Sequence, residues 1–330
     1  MNHISNIRIE NYKSIRSLKL SPKRVNIFLG EPNSGKTNII EALSMLAFDS
    51  TSLFKEVIRF ESADELFPDS ELSEPIRILT DNLKFTIEYH KNDNGALMNS
   101  FLCKFSLQEN TKEVFQFELD FDGSIRNQRG PNFPTNVCFY QFKKHKSFNT
   151  TFRPFLNPPF GNNIPSLLVS NKELKKIVAD IFNDKGFKLE LKPKENRIGI
   201  AKDVDGDIYS YPYQSVSETL QRIVFMLLAI ETNKEMVLLF DEPEANTFPF
   251  YTKYIAERIA LDKTNQYFLT THNPYLLMSL IEKTPAKDLN IIVTSMKRFV
   301  TQCHVLNARQ VEKVQRMGYD VMFNLDKFEK

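Results

Sequence analysis

The sequence has few of the residues that mark secreted, fibrous or membrane-spanning chains. It contains 3 cysteines, 10 glycines and no tryptophan in 330 residues. The cysteines are widely spaced and form no C-x-x-C pair, which argues against a disulfide framework or a zinc site and favours a reduced, cytoplasmic protein. No run of about 18 apolar residues occurs, so no membrane span is expected. The first residues also lack the apolar core of a secretory signal.

A large excess of either charge is missing as well. Lys and Arg number 43 against 41 Asp and Glu, for a formal net charge of +2. A polybasic tail is therefore excluded as the main feature, although a local basic face is not. Hydrophobic residues make up 42% and charged residues 25% of the chain, which excludes a mainly disordered protein.

The hydrophobic periodicity predicts an α/β chain whose character changes along its length. Short strands precede residue 30, with an apolar one at 25–29, and a helix is expected at 38–48. Residues 76–122 alternate with period two and predict an antiparallel sheet with one buried face, turning at Asn94-Gly95 and Asp122-Gly123. Residues 128–166 are rich in proline and are expected to form a linker or lid without regular structure.

Strands and helices alternate in the second half, which indicates a mainly parallel sheet covered on both faces. The expected elements are a helix at 174–182, a hairpin turning at Asp205-Gly206, a helix at 216–231 capped by Ser215 with Glu218, strands at 237–240, 267–270 and 289–294, and helices at 250–260 and 276–281.

Residues 30–37 read Gly-Glu-Pro-Asn-Ser-Gly-Lys-Thr and match the P-loop pattern G-x-x-x-x-G-K-[ST] between a predicted strand and a predicted helix. Small residues let backbone N–H groups turn inward, and the helix N-terminus adds positive potential for phosphate oxygens. Lys36 would reach the β- and γ-phosphates, and the Thr37 hydroxyl would hold Mg²⁺. The residues expected to contact ATP are Gly30, Asn33, Ser34, Gly35, Lys36, Thr37 and Asn38.

Two apolar strands deliver further polar groups to the carboxyl edge of the predicted sheet, where open α/β sheets bind ligands. After the strand at 237–240, Asp241 would orient Mg²⁺ and Glu242 would act as general base on the attacking water. After the strand at 267–270, His272 would contact the γ-phosphate or fix that water. Alone, each group also fits a solvated loop or a structural histidine. Beside a P-loop they predict ATP hydrolysis, with Lys36, Glu242 and His272 as catalytic groups.

A serine-rich segment from Ser215 to Arg222 opens the helix that precedes Asp241. Its N-terminal amides would bind a phosphate. The alternative is a capped core helix without a ligand.

Together these motifs resemble the ABC-type ATPase heads, and in particular the RecF, SMC and "overcoming lysogenization defect" group of AAA-like ATPases. The stretch IRIENYKSI at 7–15, Glu242-Pro243-Glu244-Ala245 and Thr271-His272-Asn273-Pro274 carry the resemblance, which covers roughly 1–50 and 210–295. It implies a P-loop NTPase fold with a mainly parallel core sheet, an antiparallel β subdomain and a helical or lid subdomain.

The resemblance also implies that two heads form a homodimer that sandwiches ATP. Ser217 would then touch the γ-phosphate bound by the other copy, and Gln141 would lie near the metal. The sequence departs from the family at Ser217-Glu218-Thr219, where Ser-Gly-Gly or Ser-x-Gly is usual. A carboxylate close to a phosphate is unfavourable unless it points away.

The spacing of the motifs excludes some subfamilies of these ATPases. No heptad run lies between Thr37 and Asp241, which excludes the coiled-coil arms of SMC proteins. Because 58 residues of the sequence follow His272, we do not expect a Toprim nuclease domain among them. We expect four segments: 1–50 with the N-terminal strands, P-loop and first helix, 51–127 as an antiparallel β insertion, 128–235 as a proline-rich lid and helical subdomain, and 236–330 as the second half of the ATPase core with a C-terminal element.

Three functions stay open at this point. The first is an ATP-hydrolysing switch that regulates a separate effector. The resemblance implies that this effector is a nuclease encoded nearby, in a bacterial anti-phage or toxin-like system. The second is a RecF-like clamp on DNA, with candidate basic stretches at 143–146 and 172–176. The third is an ATP-binding structural subunit with little turnover.

Overall fold

The computed structural model describes residues 3–47, 54–91, 99–108, 113–130 and 135–329. A six-stranded core sheet separates two hydrophobic clusters. Successive side chains of a strand point to opposite faces of its sheet. Val237 and Leu239 therefore belong to one cluster, while Leu238 and Phe240 belong to the other. Burial on both faces explains why this strand is apolar at every position.

The strands and helices have the following bounds. The strands are β1 (Ile7–Tyr12), β2 (Ile15–Leu20), β3 (Val25–Gly30), β4 (Ile76–Thr80), β5 (Leu83–His90), β6 (Ser100–Leu107), β7 (Glu113–Leu119), β8 (Ile125–Arg129), β9 (Val137–Tyr140), β10 (Lys188–Lys192), β11 (Arg197–Val204), β12 (Asp207–Pro212), β13 (Val237–Phe240), β14 (Gln266–Thr270), β15 (Leu289–Lys297) and β16 (Val300–Val305). The helices are α1 (Lys36–Ser44), α2 (Phe54–Val57), α3 (Ile164–Ser170), α4 (Lys172–Asn183), α5 (Glu218–Thr232), α6 (Pro249–Leu261), α7 (Pro274–Lys283) and α8 (Ala308–Met317).

The core sheet has the strand order β16-β15-β3-β14-β13-β9. Neighbours from β15 to β9 are parallel, and only the pairing of β15 with β16 is antiparallel among these strands. The carboxyl ends of β3, β14 and β13 consequently meet at one edge. This edge collects the P-loop, the segment after Thr270 and the Asp241-Glu242 pair.

A second sheet is antiparallel throughout, with the order β2-β1-β4-β5-β6-β7-β8. Its inward face packs on α1, and side chains such as Ile9, Phe85 and Phe101 share a cluster with Ile39 and Leu43 of that helix. Helices α3 to α8 cover the opposite face of the core sheet. A small antiparallel sheet, β10-β11-β12, contains the predicted Asp205-Gly206 hairpin.

The α/β fold with a mainly parallel core sheet and an antiparallel sheet is confirmed, but two local predictions are wrong. Residues 128–166 were expected to lack regular structure, yet β9 runs parallel to β13 with Val137 opposite Val237. A four-residue edge strand has too little periodicity to stand out among flanking prolines. The cap of α5 is Ser217 rather than Ser215, because buried Val216 keeps an extended backbone at ψ 147 and delays the helix.

The remaining differences are smaller. Strand β16 and helix α8 follow the last predicted element and were not predicted. The predicted helix 38–48 corresponds to α1, which a 3₁₀ turn extends to Ala47, and Phe48 lies outside the described residues, as does the Asn94-Gly95 turn. The four-segment division stays a prediction. In the described part of the chain, no helix is long and apolar enough to span a bilayer.

Candidate functional site

The P-loop connects the end of β3 to the start of α1 and depends on a glycine at its last turn. Gly35 precedes the helix with φ 92, a conformation that L side chains rarely adopt. Its α-carbon lies against β16, where an added Cβ would be 2.0 Å from Thr301 Oγ1. Sequence and packing thus require glycine here, and the amides at the start of α1 stay open to a ligand.

Lys36 follows the last glycine of the P-loop, and its side chain folds back into the loop. The residue is 5% exposed, and its ammonium donates hydrogen bonds to the carbonyls of Gly30 and Glu31, each at 2.8 Å. Burial lowers the pKa of this ammonium, and the charges of Glu242 and Asp241 oppose that effect. The positive charge is therefore fixed at the point where the loop would receive phosphate oxygens.

Thr37 and Asp241 come together although 204 positions separate them in the sequence, since the Thr37 hydroxyl lies 3.4 Å from Asp241 Oδ1. Thr270, at the end of β14, donates to the same oxygen at 2.5 Å. A hydroxyl and a carboxylate fit Mg²⁺, which binds proteins through one or two such groups together with waters and phosphates. Among the described residues no group of three or more His, Cys, Asp or Glu forms a metal cage.

Glu242 and His272 face each other across the mouth of the loop. Glu242 Oε1 lies 3.2 Å from His272 Nε2, and both side chains are about half exposed. Burial, followed by the charge of Lys36, lowers the pKa of His272, while Glu242 and Asp241 oppose this. The imidazole is therefore mainly neutral at pH 7, and with its proton on Nε2 it donates to Glu242.

These groups line one pocket of about 450 Å³. Its wall contains residues 32–38, Glu242 and His272, together with Ser14, Arg59 and Met296. Gly30 lies at the base of the loop through its bond to Lys36, and Asp241 lies beside Thr37. The structure thus brings together the sequence-predicted P-loop, Asp241, Glu242 and His272.

Ser14, Arg59 and Met296 are pocket residues that the sequence did not reveal, and Arg59 is the charged one among them. Buried Glu41 on α1 holds it, with Glu41 Oε1 2.5 Å from Arg59 Nε. The other oxygen of Glu41 accepts from Lys13 Nζ at 2.7 Å and from the Tyr12 hydroxyl at 3.1 Å. Arg59 follows α2 in a stretch without periodicity, so no local signal marks it.

Ser217 is not part of this pocket. Its hydroxyl accepts from the Leu220 amide at the start of α5. The neighbouring Glu218 carboxylate is bound by Lys144 at 2.8 Å and by Arg222 at 2.9 Å. These two cations lower the pKa of Glu218 to about 2, and they neutralise the charge that the sequence places next to Ser217.

Gln141 does not line the pocket either. Its side chain is exposed, and its backbone N–H donates to the Pro159 carbonyl at 2.9 Å. It follows β9 directly, however, and Tyr140 is opposite Phe240. Gln141 therefore lies at the same sheet edge as Asp241, one strand outward.

Comparisons with known proteins identify a family and several relatives. The family described as "AAA domain, putative AbiEii toxin, Type IV TA system" matches residues 25–279. An "ATP/GTP phosphatase" of Helicobacter pylori is 26% identical over 160 residues, which are 40% of this chain and 42% of that protein. The "DNA replication and repair protein RecF" of Lysinibacillus sphaericus is 42% identical over 65 residues, 18% of this chain and 17% of its own. The chain thus spans less than half of either relative.

A solved structure gives the same fold over nearly the whole chain. The SMC head bound to the C-winged helix domain of ScpA superposes with a TM-score of 0.52 and 13% identity. The superposition covers 94% of this chain and 99% of that one. At this identity the likeness establishes the fold alone.

Proposed function

Since the chain belongs to this family of AAA domains and is an ATPase-type head of the RecF and SMC kind, we propose that it binds ATP with Mg²⁺ and hydrolyses it. The observation that carries the proposal is the contact of Thr37 with Asp241 beside Lys36. The strand order brings the carboxyl ends of β3 and β13 to one edge of the sheet, and this contact places two groups of the kind that Mg²⁺ prefers beside the P-loop lysine. The half-exposed Glu242–His272 pair supplies a base at the same place.

Each residue has a distinct role in this proposal. The amides of residues 33–38 and the Lys36 ammonium bind the triphosphate. Thr37 and Asp241 hold Mg²⁺, which neutralises charge on the phosphates when it is bound. Glu242 takes a proton from the attacking water, and the neutral His272 imidazole fixes the carboxylate that does so. Arg59, held by Glu41, adds a second cation to the pocket wall.

Phosphate release by the purified chain tests the hydrolytic role. Glu242→Gln should lower turnover at least about 100-fold and leave ATP binding intact, because it removes the base without a change of volume. Glu282→Gln, an exposed position on α7 away from the pocket, is the matched control and should keep wild-type activity. Equal rates for wild type and Glu242→Gln would refute hydrolysis at this site. ATP binding without any turnover would instead favour a structural subunit.

A head-to-head homodimer is the second part of the proposal. Ser217 does not line the pocket of its own copy, which suits a residue that reaches the nucleotide of another. The pairing of Glu218 with Lys144 and Arg222 removes the electrostatic objection to a phosphate there. In sedimentation velocity, Glu242→Gln with MgATP should dimerise, and adding Ser217→Arg should abolish this. Ser170→Arg, at an exposed position ending α3, is the control. A monomer under all conditions would contradict the dimer.

We propose that the ATPase regulates a separate effector protein, such as a nuclease, in a bacterial defence system. The described residues contain no candidate metal cluster for a second catalytic centre, and the description of the family names a toxin. Co-expression with the products of adjacent genes, followed by purification with and without ATP, tests this. An ATP-dependent complex that alters the partner's activity is expected, and independent activities would argue against it.

The similarity to RecF favours a clamp on DNA as a second candidate function. One candidate basic stretch is largely neutralised, because Lys143 pairs with Glu56 at 2.9 Å and Lys144 with Glu218. The stretch at 172–176 lies on α4. ATP-dependent binding of duplex DNA with a steep salt dependence would support the clamp. No binding at about 50 mM salt would count against it.

A further inference from the structure

Glu244 is a buried acidic residue that the proposed chemistry does not use. It is 5% exposed, and no Lys, Arg or His in the described part of the chain forms an ion pair with it. The backbone makes two successive turns between Glu242 and Thr247. The Ala245 amide donates to the Glu242 carbonyl, and the Thr247 amide donates to the Glu244 carbonyl, each at 3.0 Å. Glu242 therefore faces the pocket, while Glu244 enters the interior behind it.

The Glu244 carboxylate contacts the segment that carries His272. Thr271 is fully buried, and its hydroxyl donates to Glu244 Oε1. The same hydroxyl accepts from the Asn273 amide at 2.9 Å. Glu244 Oε2 is also buried, and no hydrogen-bond partner for it is present among the described residues. A single chain of bonds thus runs from Glu244 through Thr271 to the residue after His272.

Thr270, the last residue of β14, and Thr271, the residue after it, contact different carboxylates. Thr270 donates to Asp241, and Thr271 donates to Glu244. Thr270 therefore holds the proposed metal carboxylate, and Thr271 holds the start of the His272 segment. His272 follows directly and lies 3.2 Å from Glu242.

Building on the proposed hydrolysis, we propose that Glu244 is a positioning residue that holds the Thr271–Asn273 backbone so that His272 meets Glu242. It acts on the hydrolytic step and not on nucleotide affinity, because it contacts neither the P-loop nor the Thr37–Asp241 pair.

The cost of keeping a carboxyl group here supports a functional role. Burial, with the nearby Glu242 charge acting in the same direction, raises the pKa of Glu244 to about 7, against hydrogen bonds from Thr271 and from the backbone amides of Glu244 and His272. An apolar side chain would fill this space without that cost. Groups whose pKa is perturbed in this way concentrate at functional sites.

Three variants test the proposal in the full chain. Thr271→Val removes the hydroxyl that donates to Glu244, and Glu244→Gln replaces the carboxylate acceptor with a weaker, uncharged amide oxygen. Thr271→Val should lower kcat about 10- to 100-fold, and Glu244→Gln should lower it about 10-fold. The affinity for MgATP should stay within about twofold of wild type. Thr271→Ser keeps the hydroxyl and should restore activity. If Glu244→Gln fails to fold, the comparison of kcat between Thr271→Ser and Thr271→Val still tests the proposal.

A second readout needs no nucleotide. Amide hydrogen exchange of the peptide containing residues 271–273 should be faster in Glu244→Gln and Thr271→Val than in wild type or Thr271→Ser. Unchanged exchange would mean that the bond does not hold this segment, and that result would overturn the proposal.

A double-mutant cycle separates positioning from other effects. If Glu244 acts through His272, then Glu244→Gln should cause no further loss of kcat in a His272→Ala background. Independent losses in the two backgrounds, or a loss of affinity equal to the loss of kcat, would overturn the inference. If Glu242→Gln lowers turnover and Glu244→Gln does not, only this inference fails. If Glu242→Gln has no effect, the proposed hydrolysis fails instead.

Discussion

Replacement of Gly35 by alanine should remove ATP binding and destabilise the chain far more than the same change at Gly206. Both glycines have φ 92, so both substitutions carry the same backbone strain of about 1–2 kcal/mol. Their surroundings differ. A Cβ at Gly206 meets no atom within 4 Å, whereas one at Gly35 would lie 2.0 Å from Thr301 Oγ1.

The contacts of Thr301 keep it from moving away from an added Cβ at Gly35. The cost of this clash is therefore the expected difference in unfolding free energy between the two glycine variants. Thr301 is 4% exposed, its hydroxyl lies 2.7 Å from Ser14 Oγ, and its amide donates to the Ser14 carbonyl. Overpacking of this kind costs about 1–3 kcal/mol. Gly35→Ala should therefore lower the free energy of unfolding by about 2–5 kcal/mol and Gly206→Ala by about 1–2 kcal/mol.

Urea unfolding and the binding of a fluorescent ATP analogue measure both effects. In a double-mutant cycle, Thr301→Ala should recover the steric part of the Gly35→Ala loss, because it removes the two closest atoms. Equal losses for the two glycine variants, or full ATP binding by Gly35→Ala, would refute the close packing of the P-loop on β16.

Three further outcomes are expected. Glu41→Gln should lower the free energy of unfolding by about 3 kcal/mol, because the Glu41 side chain is 4% exposed and its charge is paired with Lys13, whose side chain is 15% exposed and would keep only its hydrogen bond to the Arg59 carbonyl. Arg59→Gln should cost about 1 kcal/mol, since the Arg59 side chain is 65% exposed, and similar values for the two variants in urea unfolding would contradict this. Arg59→Ala should weaken MgATP binding more than Arg59→Lys, and unchanged calorimetric affinity would exclude Arg59 as a phosphate contact. Burial raises the pKa of the Glu244 carboxyl in the folded state to about 7, above its ordinary 4.5, so the folded state binds a proton more tightly than the unfolded state. As the pH rises from about 4.5 to 7, the free energy of unfolding of the wild type should therefore fall by about 3 kcal/mol relative to that of Glu244→Gln. A pH-independent difference between the two unfolding curves would contradict that burial.

Chemistry confined to a short stretch could be predicted from the sequence. The P-loop was recognisable because its small residues, its lysine and its flanking elements are contiguous. The Asp241-Glu242 pair and His272 were predicted because each follows an apolar run that ends at a sheet edge. The antiparallel sheet was evident from its two-residue period.

Other features could not be predicted, because their signal does not lie near them in the chain. Arg59 sits in an aperiodic stretch, and only Glu41 on α1 brings it to the pocket. Strand β9 is too short to display a pattern and exists because β13 offers it hydrogen bonds. The proposed function of Glu244 depends on its contact with Thr271, which follows another strand and is 27 positions away in the sequence.

The sequence by itself thus determined the phosphate-binding loop, the polar groups at the strand ends and the class of fold, since these follow from local composition and period. The meeting of Thr37 with Asp241 was also expected, because both follow strands of one parallel sheet. Only the tertiary structure decided the contacts that no local pattern marks. These depend on packing around the core sheet, which joins Arg59 to Glu41 and Glu244 to Thr271.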